Sequence, residues 1–180
     1  MRKFKGLLVM TILATILVGC PSSSPPPFDI TKDITQEVPV AVTANTNGEC
    51  LDYTETETFN LRSNSDFNEN YDYIQGTRFN SITLEITNYV GDDGVYLNSG
   101  SLNFGTASLE IGKIDLKAAD TANQTFVFTD ATNLAAIGTA ITSSGGSITM
   151  SLETRSGGNC DNDFSYTLKV TVNVTASIQL

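Results

Sequence analysis

The sequence has no histidine and no tryptophan, only 3 cysteines, and only 10 Lys and Arg against 20 Asp and Glu in 180 residues. Without histidine the Ser-His-Asp and Cys-His nucleophile schemes, His-ligated zinc and imidazole acid–base chemistry are excluded. Without tryptophan the largest flat ring for stacking sugars is missing. No Ser-x-x-Lys signature occurs, and the glycines of Ser143-Ser144-Gly145-Gly146-Ser147 read as a turn, because no Walker-type lysine follows them. Long apolar runs are also absent. The longest uncharged one, Gly6 to Gly19, has fourteen residues, short of the roughly 20 that a spanning helix needs.

That run follows Arg2, Lys3 and Lys5 and contains only Thr11 and Thr15 as polar side chains. Basic residues, then a short apolar core, then a breaker-rich segment form the layout of an export signal. The residues that close it, Leu17-Val18-Gly19-Cys20, resemble the lipobox of bacterial lipoproteins. The resemblance implies cleavage between Gly19 and Cys20, a diacylglycerol thioether on the Cys20 thiol, and acylation, as by palmitate, of the freed amine. At about 0.8 kcal/mol per buried methylene, two or three acyl chains hold a protein on a bilayer where one would not. An ordinary secretory signal followed by a chance cysteine, or a bare membrane anchor, are the competing readings. Pro21-Ser22-Ser23-Ser24-Pro25-Pro26-Pro27 has the composition of an extended polyproline-type tether. The expected organisation is thus a signal peptide over 1–19, a lipidated Pro/Ser-rich tether over 20–27, and one domain over 28–180.

Three basic residues lie ahead of Cys20, so seven basic against twenty acidic groups follow it, a net charge of −13. Such a field disfavours nucleic acid and anionic headgroups as partners. It serves solubility, or else a cationic partner. With Cys20 taken by lipid, Cys50 and Cys160 are left as an even pair in an oxidising compartment, and a disulfide between them is expected. A redox-active or metal-binding pair is the alternative, but neither cysteine lies in a C-x-x-C motif.

Period-two alternation dominates the domain. Phe28, Ile30 and Ile34, then Val38, Val40 and Val42, read as early strands, with Pro39 demanding an edge or a break. Tyr53, Phe59 and Leu61 share one parity, which Glu55 and Glu57 interrupt. Ile82, Leu84 and Ile86 mark a further strand, and Val90-Gly91-Asp92-Asp93-Gly94 carries a hairpin signal ahead of Val95 and Leu97. Leu102 and Phe104, Leu109 and Ile111, Phe126 and Phe128, and Ile148, Met150 and Leu152 continue the series, with a bulge or turn at Gly112-Lys113. Asp130 precedes helically spaced Leu134, Ile137 and Ile141, which predicts one short packing helix. Gly157-Gly158-Asn159 is read as a turn before the longest alternation, Phe164, Tyr166, Leu168, Val170, Val172, Val174, Ala176 and Ile178. The fold class is all-β, an antiparallel sandwich of roughly eight to ten strands.

With Ile82-Thr83-Leu84-Glu85-Ile86-Thr87-Asn88-Tyr89 in a Thr/Asn-rich β domain, the chain resembles the small outer-membrane lipoproteins of Bacteroidota. That resemblance implies an outer-membrane lipoprotein. Surface-displayed members carry acids just behind the lipidated cysteine, whereas here the first acid is Asp29. Attachment facing the periplasm is therefore expected over display on the cell surface.

Remaining candidates are weak as motifs. Asp66-Phe67-Asn68-Glu69-Asn70-Tyr71-Asp72 alternates oxygen ligands as a calcium loop does, but Tyr71 and Thr77 stand where the turn glycine and the bidentate glutamate belong. Asp92-Asp93 and Asp161-Asn162-Asp163 are explained by turn chemistry without a metal. Glu55 and Glu57 share a strand face, and no other acidic pair stands out for glycoside hydrolysis. Tyr71 with Tyr73, and Tyr89 with Tyr96, flank loops and are candidates for a contact patch. Asp120-Thr121-Ala122 matches a short O-glycosylation sequon. No cofactor is expected. The expected function is a lipid-anchored envelope binding or accessory module without catalytic activity, its partner an envelope protein or glycan. The alternatives are a carboxylate-dependent glycan hydrolase and a calcium-stabilised adhesive domain.

Overall fold

A strand with one apolar face needs a second layer to cover it, and in the computed structural model, which describes residues 25–45 and 47–180, two antiparallel sheets cover one another. The signal segment, Cys20 and the tether up to residue 24 lie outside the described residues. In chain order the elements are β1 (Phe28–Val42), β2 (Asp52–Asn60), α1 (Ser65–Asn70), β3 (Ile74–Val90), β4 (Val95–Phe104), β5 (Ala107–Ile111), β6 (Ile114–Asp115), α2 (Leu116–Thr121), β7 (Thr125–Phe128), α3 (Ala131–Ser143), β8 (Ser147–Gly158) and β9 (Phe164–Ile178). The first sheet has the order β1-β9-β3-β7. The second has the order β2-β8-β4-β5, with β6 also paired to β4.

The expected sandwich is therefore present. Strand β9 realises its alternation in full, with every residue from Phe164 to Ile178 of that parity buried. It lies centrally, between β1 and β3. Facing it from the second sheet, Phe59 and Phe104 meet edge to face at 5.8 Å between ring centres, with Leu97, Leu102, Met150 and Leu152 fully buried around them. Such an aromatic pair adds about 1 kcal/mol to the burial of its area.

Differences from expectation have local causes. The two early apolar groups form the single strand β1, which tolerates Pro39 because it is a sheet edge. The helix expected after Asp130 is α3, and the Asp130 carboxylate accepts from the Asn133 N–H as its cap. Two six-residue helices, α1 and α2, join it. The Asp93-Gly94 signal does not make a hairpin. Gly94 turns the chain at φ +77°, but β3 already has β9 and β7 as neighbours, so the chain crosses to the second sheet as β4. Gly157 and Gly158 likewise lie inside β8, opposite Tyr96 and Val95, and the chain then crosses back to β9.

These crossings give the sandwich two distinct sides and two distinct ends. On one side α2 packs on β3 and β4, and α3 packs on β3 and β5, closing the gap between sheets. On the other side β1 and β2 run beside each other as the two sheet edges. The proximal end holds the start of β1, the end of β9 and the start of β3, since Phe28 and Ile74 both lie opposite Ile178. The distal end holds Val42, opposite Phe164, and the loops around Cys50 and Cys160. At about 3.3 Å per residue the fifteen residues of β1 put roughly 45 Å between the two ends.

Candidate functional site

Cys50 and Cys160 are joined, with their Cα atoms 5.2 Å apart and a sequence separation of 110. The bond pins the loop of residues 43–51 to that of residues 159–163. Side chains complete the fastening. Asp163 accepts from the Ala44 N–H at 2.8 Å, Asn162 donates to Asp92 at 2.7 Å, and the Tyr89 hydroxyl donates to the Asp92 carbonyl at 2.7 Å. Lys117 pairs with Asp93, and Asp120 accepts from the Tyr89 N–H at 3.3 Å. The Lys117 pKa is raised first by that hydrogen bond to Asp93 and then by its charge. Burial first, and then Asp92, raise that of Tyr89. The acidic turns thus serve loop closure, as turn chemistry suggests.

Beside these loops the seam between β1 and β2 opens a hollow of about 400 Å³ lined by Val40, Ala41, Glu55, Ser165, Tyr166 and Thr167. Tyr166 comes from buried β9 and Tyr53 from edge strand β2, and their hydroxyls meet at 3.1 Å. Tyr53 also stands edge-on to Phe164 at 6.3 Å. Burial first, opposed by the hydrogen bond from Tyr166, pushes the Tyr53 hydroxyl well above the ordinary phenol value. Burial and then the neighbouring Tyr53 do the same to Tyr166. Both phenols stay protonated at ordinary pH, so they can orient a polar ligand and cannot serve as bases. Glu55 and Glu57 share the inward parity of Tyr53 and are half-buried. They face the seam, where water reaches the inner side of an edge strand, which is why acids interrupt that apolar alternation.

A second hollow, of about 440 Å³, lies on the outer face of the second sheet, lined by Asp52, Ser99, Gly100, Glu110, Glu153 and Arg155. A register shift between Leu97 and Ser99 bulges β4 there. Glycine is required at position 100, because a Cβ on it would stand 2.8 Å from the Glu153 carbonyl oxygen and from the side chain of buried Thr154. Arg155 bridges both Asp52 oxygens at 3.2 and 3.3 Å. Three carboxylates from β2, β5 and β8 therefore ring one basic group. No local motif marks this set, since its members are dispersed over about a hundred positions.

Asp66 to Asp72 forms helical turns in place of a ligand loop. Asn64 caps α1, Asp66 pairs with Lys32 at 2.5 Å, and Asp72 pairs with Arg62 at 3.9 Å. Among the described residues no three Cys, Asp or Glu side chains gather as a metal ion would need. The tyrosine groups separate. Tyr71, under the Arg62 guanidinium at 3.9 Å, and Tyr73 are proximal. Tyr89 and Tyr96, the latter under Lys113 at 3.5 Å, are distal. Thr121 is exposed at the end of α2. Cys20 lies outside the described residues.

No known family model matches the chain, and no curated protein matches it. Among solved structures it is similar to the decameric BFDV capsid protein, with 13% identity, a TM-score of 0.49, and coverage of 83% of this chain and 99% of that one. The 60-mer BFDV capsid protein is similar at 15% identity and a TM-score of 0.42, covering 84% of this chain and 95% of that one. Desmodium yellow mottle tymovirus is similar at 14% identity and a TM-score of 0.38, covering 89% and 93% respectively. At these scores the likeness is one of general backbone path, and no residue role is carried across.

Proposed function

We propose that this chain is a lipid-anchored binding or accessory module of the bacterial envelope, without catalytic activity. In this reading Cys20 fixes it to the outer membrane on the periplasmic side, and the distal end meets the partner. One observation carries it: the chain leaves its tether at Phe28, at the end opposite the disulfide-fastened loops and the hollows beside them. A tether at one end presents the other to whatever lies across the periplasm. The distal surface offers carboxylates, hydroxyls and protonated phenols, which suit a polar or cationic patch on an envelope protein, or a glycan, and repel nucleic acid.

Crosslinking in cells that express the tagged protein, followed by recovery from solubilised envelopes, tests this. The expected result is a reproducible partner that is lost with Cys20→Ala and weakened when Asp52→Lys and Glu153→Lys reverse the distal charge. An unchanged partner set with the charge reversed would remove the distal end from the function. A hydrolase remains the second reading, because Asp52, Glu110 and Glu153 share one groove and paired carboxylates are what glycoside hydrolysis uses. Glycan cleavage by the purified protein that disappears with Glu110→Gln or Glu153→Gln would favour it over the binding module.

A further inference from the structure

We propose that the proximal end is a membrane-seating surface, in which Phe28, Tyr73 and Leu180 dip into the bilayer that carries the lipid on Cys20. This rests on the anchor reading above and adds an orientation to it. Among the described residues five large apolar side chains are exposed, and three of them, Phe28 at 44%, Tyr73 at 48% and Leu180 at 60%, sit at this one end. The backbone gathers them: Phe28 lies opposite Ile178, and the Gln179 N–H donates to the Tyr73 carbonyl at 3.1 Å. Strands in a ladder are about 5 Å apart, so the three residues flank the end of β9 within one small area. The other two, Val90 and Val127, stand apart at the distal end of β3 and on β7.

The occupant follows from the chain leading to this end. Seven residues, four of them proline, separate Cys20 from Phe28, which makes eight Cα–Cα steps. At about 3.1 Å per residue they reach at most roughly 25 Å, against the roughly 45 Å between the ends of the sandwich. The proximal end is thus held close to the bilayer at high effective concentration, while the distal end is held off. Phenylalanine and leucine gain by leaving water, and tyrosine suits the boundary, with an apolar ring and a polar tip. Of the nearby cations, Lys32 and Arg62 are paired with Asp66 and Asp72, and Arg78 is hydrogen-bonded to Asn80. The contact is carried by the apolar side chains, so on a zwitterionic bilayer it is insensitive to salt.

The absence of tryptophan makes a direct test available. In chain produced from Cys20 onward without the lipid-attachment step, Cys50 and Cys160 bond to each other and leave Cys20 as the free thiol. It can be coupled to a maleimide phospholipid in phosphatidylcholine vesicles that contain brominated lipid. In this state Tyr73→Trp supplies a proximal reporter and Val90→Trp a distal one. Bromine is expected to quench the proximal reporter at least about threefold more strongly, as for a ring at the headgroup boundary. That difference should persist in high salt and vanish when Phe28→Ser and Leu180→Ser are added. Equal quenching at the two positions overturns the seating surface. Failure to find lipid on Cys20 of protein recovered from cells sinks the anchor reading separately, since the vesicle experiment supplies its own lipid.

Discussion

At its proximal end the sandwich is closed by buried side chains, and at its distal end by a covalent bond and polar contacts. Proximally, Leu61 and Phe67 enter the core from the helical connection between β2 and β3, and Gly146, buried at φ +83°, gives its carbonyl to the Leu61 N–H at 2.8 Å. Distally, Gly158 stands at φ +81°, where a Cβ would also overlap the Gly94 carbonyl, and the loops around it are joined by Cys50–Cys160 and by Asp163, Asn162 and Tyr89. Packing excludes ligands, whereas a stapled set of loops keeps its polar groups at the surface and in fixed positions. Rigidity is thus reached by burial at one end and, with little burial, by a covalent staple and polar contacts at the other.

Cutting the staple should have the largest effect. Replacing both Cys50 and Cys160 by serine is expected to cost about 4 kcal/mol, the scale for releasing a loop of about a hundred residues. The loss should be uneven. Amide exchange should quicken first at Ala44 and Asn159, while Leu61 and Phe67 keep their protection until global unfolding. Uniform acceleration would mean that the two ends open as one cooperative unit. The proximal counterpart is Phe67→Ala. Phe67 is fully buried, so its truncation should cost about 3 kcal/mol, read from denaturant midpoints, and should leave the distal amides protected.

Much of the frame was legible because each signal was local. The parity of β9, the edge forced by Pro39, the cap at Asp130 and the pairing of the two cysteines left after Cys20 can all be read within a few residues or by counting. What escaped depends on which strands become neighbours. Asp93-Gly94 has hairpin chemistry, yet β3 and β4 enter different sheets, because pairing is decided by burial of whole faces rather than by the turn. The groove of Asp52, Glu110 and Glu153 exists only once β2, β8, β4 and β5 lie in that order. Phe67 lies within a polar stretch that resembled a ligand loop, and nothing local marks it as core. Glu55 and Glu57 had the right parity, but facing the seam made that parity half-wet.

The smallest effect expected is at the seam, and it carries its own pH signature. Tyr53→Phe or Tyr166→Phe removes one hydroxyl from a pair 3.1 Å apart and should cost about 1 kcal/mol at neutral pH. Above the ordinary phenol value of 10.0 the sign becomes informative, because both folded pKa values are raised. Below pH 10 the phenols are protonated in the folded and the unfolded chain alike, and the stability of the pair is fully present. As pH climbs beyond 10 the unfolded chain ionises first, so stability falls until the raised folded values are passed. Denaturant midpoints followed upward from pH 8 should decline more steeply in the wild type than in the double Tyr53→Phe, Tyr166→Phe variant. Phenolate absorbance should show these two of the six tyrosines titrating only as the fold is lost. If both ionise near pH 10 in the intact protein, the seam admits water freely, and the distal end owes its order to the disulfide and loops alone.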